Sequence, residues 1–145
     1  MELSLKSEYA ILAMLELANH FALDQPLQIR QISAQQNIPD RYLEQLLATL
    51  KRQGLVKSQR GSKGGYILAR EPHKISLLEV VQGIEGYDGI SDRSKTTHDS
   101  ASMAVIYEIW ESAQMAAAKV LDNCSLKDLC DRQRQSQIAT TMYYI

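Results

Sequence analysis

The sequence is short of most features that would declare a function at once. It has two cysteines in 145 residues, Cys124 and Cys130, six positions apart and in no CxxC pair. That is too few for a disulfide framework, so the fold must rest on an apolar core. No stretch approaches the roughly 18 consecutive apolar residues of a membrane-spanning helix. The start, MELSLKSEYA, lacks the basic beginning and apolar centre of a signal peptide. These absences lead to the expectation of a soluble, cytoplasmic protein. Catalytic signatures are missing as well. There is no Gly-rich phosphate loop and no Gly-x-Ser-x-Gly nucleophile elbow, and His20, His73 and His98 are not at HExxH spacing. No enzyme is expected. Internal repeats and low-complexity tracts are also absent.

Apolar residues make up 45% of the chain, enough for one compact domain with an appended element. The formal net charge of −1 carries little information, but its distribution does. Residues 1–70 hold nine Lys/Arg against six Asp/Glu, and residues 71–145 hold seven against eleven. Within 51–70 there are six basic residues and no acidic one. A basic patch in a near-neutral chain points to an anionic partner at that place, although a charge run alone also suits a solvated surface.

The apolar spacing predicts a mainly α fold with one small β-hairpin. A first helix is expected from Ser7, as N-cap, to about His20, with Tyr9, Leu12, Met14, Leu15 and Ala18 at helical spacing. A short second helix spans Leu27 to Gln36. Asn37 is placed to leave it in a left-handed turn, and Pro39 to open a third helix at its first position. That helix runs to about Gln53, before Gly54. Ile32, Ile38, Leu43 and Leu46 facing inward make a helix-turn-helix pattern. The segment LVKSQRGSKGGYILAR then reads as a hairpin with a basic, Gly-containing tip, a wing on the helix-turn-helix. Ser76 and Glu79 form a capping box for a following short helix. Residues 1–84 are thus read as a winged helix-turn-helix domain, 85–100 as a sensor-type loop, and 101–145 as a dimerisation helix with a C-terminal segment. Ser125 is expected to cap a short helix through Leu129. The tail QRQSQIATTMYYI gives no clear reading.

On the long helix, about Ala101 to Leu121, an apolar stripe contains Met103, Ile106, Tyr107, Trp110, Ala113, Ala117 and Val120. Such a helix is about 30 Å long, more than a small three-helix core can cover. A second copy of the chain is the expected partner; folding back over its own domain is the alternative. In a helix-turn-helix the N-terminal part of the third helix enters the major groove of DNA. Arg41 and Gln45 then fall near base edges, where each can make paired hydrogen bonds. Glu44 can accept from cytosine, and the Tyr42 hydroxyl can reach a phosphate. In the wing, Arg60 and Lys63 are the best backbone or minor-groove contacts. Ser62 lies between them, and Gly61, Gly64 and Gly65 let the chain turn and approach closely.

YLEQLLATLKRQGLVKSQRGSKGGYIL closely resembles the third helix and wing of the Rrf-type winged-helix transcriptional regulators, the IscR/NsrR/CymR-like family. SEYAILAMLELA and ISLLEVVQGIEG are similar to that family's first helix and post-wing helix. The resemblance covers roughly residues 1–130, and the RG-x-x-GGY-x-L signature is its most specific part. It implies a homodimer on the long helix that binds a partly palindromic double-stranded operator. It also implies DNA contacts at Tyr42, Gln45, Arg60 and the segment Pro39, Asp40 and Arg41.

One departure concerns the cofactor. Cluster-binding members carry three cysteines in the loop before the long helix, and here that loop, EGYDGISDRSKTTHDSAS, has none. Thiolates suit iron–sulfur chemistry, so the standard ligand set is absent and the cofactor stays unknown. Glu8, His20, His98 and Cys124 are the remaining candidates for a cluster on non-standard ligands. A winged helix that binds protein rather than DNA is the other alternative.

Overall fold

Ser4 caps the first helix, its hydroxyl accepting from the Ser7 N–H at 3.1 Å, and α1 runs Leu5–Asn19. The sequence suggests Ser7 for that role. Instead Ser7 lies buried inside the first turn, and its hydroxyl donates to Glu85, 78 positions away, at 2.8 Å. The structure, a computed structural model, describes residues 3–86 and 100–143.

Two further helices pack on α1: α2, Ile29–Gln36, and α3, Asp40–Arg52. The second helix starts later than its apolar pattern suggests because Leu27 is held in extended pairing with Tyr66. Asn37 leaves α2 with φ 55°, as its αL tolerance suggests. Pro39 stands just outside α3 as its N-cap, not at its first helical position; its ψ of 132° is still extended. On α3 the residues Leu43, Leu46, Leu47 and Leu50 are all buried, a single face at 3–4 residue spacing. Leu43, Leu47 and Leu50 have no exposed surface, and Ile32 and Ile38 join them in the core. Leu47→Ala is expected to lower stability by about 2–5 kcal/mol, measured by urea unfolding. An unchanged midpoint would mean that α3 is not anchored by this face.

Gly54 turns out of α3 at φ 75°, and the wing follows. Its strands are β1, Val56–Gln59, and β2, Gly65–Leu68, antiparallel, with Val56 opposite Leu68 and Gln59 opposite Gly65. The Leu27 N–H donates to the Tyr66 carbonyl (2.9 Å) and the Tyr66 N–H to the Leu27 carbonyl (2.8 Å). This rung on the other edge of β2 supplies part of the support that an isolated hairpin lacks.

Next comes α4, Leu77–Glu85, opened by the expected capping box: the Glu79 N–H donates to Ser76 Oγ and the Ser76 N–H to Glu79 Oε2, both at 3.2 Å. The long helix is α5, Ala101–Asp122. The last helix, α6, runs Leu126–Tyr143, far beyond the expected stop near Leu129. Its first turns are amphipathic and bury Leu126 and Cys130 in the core formed with α1 and Ile75. Beyond Arg134 its residues are exposed, with too few apolar positions for periodicity to betray the helix. Among the described residues no helix is long and apolar enough to cross a membrane.

No residue of α5 is buried. Tyr107, Gln114, Ala117, Ala118 and Leu121 are half-buried along one side of it, and α4 packs against this helix. Met103, Ile106, Trp110 and Val120 are exposed, at 41%, 57%, 56% and 69%. With Ala113 and Ala117 they repeat at alternating steps of three and four, the spacing of a helix–helix seam.

Candidate nucleic-acid interface

The buried leucine face of α3 fixes what its opposite face presents. Asp40, Arg41, Glu44, Gln45 and Ala48 are all exposed there, with Pro39 exposed just before them. At the far end, Arg52 donates to Thr49 Oγ1 (3.1 Å), and Thr49 donates back to the Gln45 carbonyl (3.1 Å). Lys51 is held toward the wing by a 2.6 Å hydrogen bond to Ser58 Oγ.

The wing tip exposes Arg60, Ser62 and Lys63. Among the described residues, Arg41, Arg60 and Lys63 form no ion pair. At the wing tip, within a segment that has no acidic residue from 51 to 70, this positive charge is available to an anion. The tip is also tied to the helix-turn-helix. Gln28 Nε2, at the start of α2, donates to the Ser62 carbonyl at 3.3 Å. Gly64 is buried, and a Cβ there would lie 2.2 Å from the Gln59 carbonyl oxygen. Gly65 is at φ 149°, and a Cβ there would lie 2.4 Å from the Leu27 carbonyl oxygen. The paired glycines are thus required by close backbone approach, at Gly65 by conformation as well.

Tyr42 behaves differently from its neighbours. It is half-buried, and its ring meets Tyr9 of α1 edge-to-face, with centroids 5.6 Å apart and an interplanar angle of 79°. With Lys6, Gln45, Leu46, Thr49 and Ile84 it lines a groove of about 140 Å3 between α1, α3 and α4. Sequence reading missed this meeting of helices, because Tyr9 carries no signal beyond helical periodicity.

Among the described residues the metal candidates do not converge. Glu8 is exposed on α1. His20 Nδ1 faces the Glu16 carbonyl at 3.0 Å and the Glu16 carboxylate at 3.5 Å, and that carboxylate accepts from Gln36 Nε2 at 2.8 Å. Cys124 is half-buried and its thiol faces the Ser125 carbonyl at 3.8 Å. His98 lies outside the described residues. Cys130 is buried in the core, and burial pushes its thiol pKa up, away from the thiolate needed for ligation or exchange. Among the described residues no three His, Cys, Asp or Glu side chains come together as a metal site. These donors, with a loop free of cysteine, do not fit a thiolate-held cluster.

Comparison with known proteins places this geometry. The profile of the Rrf2 family, described as "Iron-dependent Transcriptional regulator", matches residues 3–132. The HTH-type transcriptional regulator CymR of Bacillus subtilis is 34% identical over 145 residues, covering all of both chains. The HTH-type transcriptional regulator IscR of Xenorhabdus nematophila is 32% identical over 140 residues, 96% of this chain and 85% of that one. The solved structure of T. potens IscR superposes with a TM-score of 0.79 at 35% identity, covering 94% of this chain and 91% of that one. The structure of CymR, the global cysteine regulator of B. subtilis, gives the same TM-score of 0.79 at 33% identity. With its helix-turn-helix, glycine-pinned wing and long exposed helix, the chain belongs to the Rrf2 family of DNA-binding transcriptional regulators.

Proposed function

We propose that the protein acts in the cytoplasm as a homodimer on a partly palindromic operator. Each copy would lay the N-terminal part of α3 in the major groove and its wing on the backbone or minor groove. The observation that carries this reading is the arrangement of Arg41, Gln45, Arg60 and Lys63. All four are exposed, and among the described residues the three cations have no ion-pair partner. They stand on elements fixed by a buried leucine face and by the Leu27–Tyr66 rung.

Arg41 and Gln45 take the base edges, as their paired donors and acceptors suit guanine and adenine. Glu44 accepts from cytosine or excludes the wrong base. Pro39 and Asp40 set the approach of α3, and Tyr42 borders the phosphates. Arg60, Ser62, Lys63 and Gly64 form the wing contact, with Gly64 allowing close backbone approach. The seam of Met103, Ile106, Trp110, Ala113, Ala117 and Val120, flanked by Tyr107, joins two copies. Sensing does not use the standard three-cysteine cluster in this reading.

The test begins with a duplex selected by the wild-type protein from a random-sequence library. The double variant Arg60→Ala with Gln45→Ala is expected to weaken binding to that duplex by about 30-fold or more, since each contact is worth about 1–3 kcal/mol. Its oligomeric state should be unchanged. Unaltered affinity in the double variant would remove this surface from the interface. A winged helix used for protein contact would show no selected duplex at all.

A further inference from the structure

From the geometry we infer that Glu85 and Tyr9, neither of them on the DNA-facing surface, are positioning residues for the reading helix. They hold α1 so that its Tyr9 ring fixes Tyr42 at the DNA-facing end of α3. This inference rests on the DNA-reading surface proposed above.

Glu85 is the last residue of α4. Its Oε1 accepts the Ser7 hydroxyl at 2.8 Å and also the hydroxyl of Ser4, the N-cap of α1. Ser7 is 1% exposed, so its hydroxyl depends on that carboxylate for a partner. A negative charge at the N-terminus of α1 is further favoured by the helix dipole. The two hydroxyls hold the Glu85 carboxyl below its usual pKa, so the contact stays charged in neutral solution. Two residues after Ser7, Tyr9 meets Tyr42 edge-to-face. Tyr42 and Gln45 line the same groove as Lys6 of α1 and Ile84, the residue before Glu85. The end of α4, the start of α1 and the DNA-facing part of α3 therefore meet in one place.

The chain of contacts is short and each link is specific. Without the carboxylate, the first turn of α1 loses the partner of a buried hydroxyl and shifts or frays. Without the Tyr9 ring, Tyr42 loses its aromatic edge and the backbone from Arg41 to Gln45 loses its lateral stop. Both changes act on DNA affinity through Tyr42.

The test is a set of double-variant cycles on the selected duplex, with thermal unfolding recorded for each protein. Tyr9→Leu is expected to weaken binding about three- to tenfold, and Tyr9→Phe to leave it near wild type, because the edge-to-face contact needs only the ring. Glu85→Leu is expected to weaken binding about fivefold. Glu85→Gln is expected to restore most of it, because one amide oxygen accepts both hydroxyls. In a Tyr42→Leu background the effects of Tyr9→Leu and Glu85→Leu should vanish; in an Arg60→Ala background they should persist in full. Equal losses in both backgrounds, or no loss from either variant, would overturn the positioning role. If no duplex is selected, or the Arg60→Ala with Gln45→Ala control binds normally, the DNA-reading surface itself fails, and the inference with it.

Discussion

Replacing Ile106 and Trp110 with glutamate is expected to convert the proposed dimer to a monomer and to weaken binding to the selected duplex by about 100-fold or more. The reasoning starts from α5. It buries none of its residues within one chain, yet Ile106 and Trp110 are 57% and 56% exposed at adjacent seam positions. A seam of apolar residues at alternating steps of three and four buries itself against a like helix. Two carboxylates placed in its centre would face two more across a two-fold axis, and an unpaired buried charge is costly. Loss of the dimer turns binding of two half-sites into two separate events. The linkage gain, about 10²–10⁴ in affinity, goes with it. Sedimentation equilibrium and fluorescence anisotropy on the same samples read the two effects. A variant that stays dimeric would move the interface elsewhere, and a wild-type monomer would return α5 to some other partner.

Gly65→Ala should unfold the wing, while Gly61→Ala should cost less. At Gly65 the backbone sits at φ 149°, and an added Cβ would lie 2.4 Å from the Leu27 carbonyl oxygen and 2.6 Å from its carbon. Those are backbone atoms, so no flexible side chain can yield. Relief requires breaking the Leu27–Tyr66 rung, with its hydrogen bonds of 2.9 and 2.8 Å. The expected loss is about 2–4 kcal/mol. Gly64→Ala should be of the same order, since its Cβ would meet the Gln59 carbonyl oxygen at 2.2 Å. Gly61 also has positive φ, 107°, but nothing lies within 4 Å of its added Cβ. Its replacement should cost about 1–2 kcal/mol of backbone strain, without the added clash. Urea unfolding of the three variants gives the order directly. A Gly65→Ala protein as stable as Gly61→Ala would show that the rung does not carry the wing.

The winged helix-turn-helix was legible in the sequence because its signals are local. Leucines at helical spacing, Asn37 at a left-handed position, Gly54 at a helix end and the Ser76–Glu79 capping box each act within about one turn. The outward face of α3 followed from its buried face, and the basic wing tip from composition. What stayed hidden depends on partners distant in sequence. Ser7 reads as an N-cap until Glu85, 78 positions on, is seen to take its hydroxyl. Leu27 reads as the start of a helix until Tyr66 claims its backbone. Nothing local marks the meeting of the Tyr42 ring with Tyr9, 33 positions earlier. The length of α6 was missed because its distal half has no buried face to impose periodicity.

The most direct test is the salt dependence of binding between the intact protein and a duplex selected from random sequence, with a scrambled duplex beside it. If each of two copies neutralises about three phosphates through α3 and the wing, log affinity should fall with log salt at a slope of about −5. The selected duplex should bind about 1,000-fold tighter than the scrambled one. Equal binding of both duplexes, or an affinity flat in salt, would contradict a dimer that reads DNA with α3 and the wing.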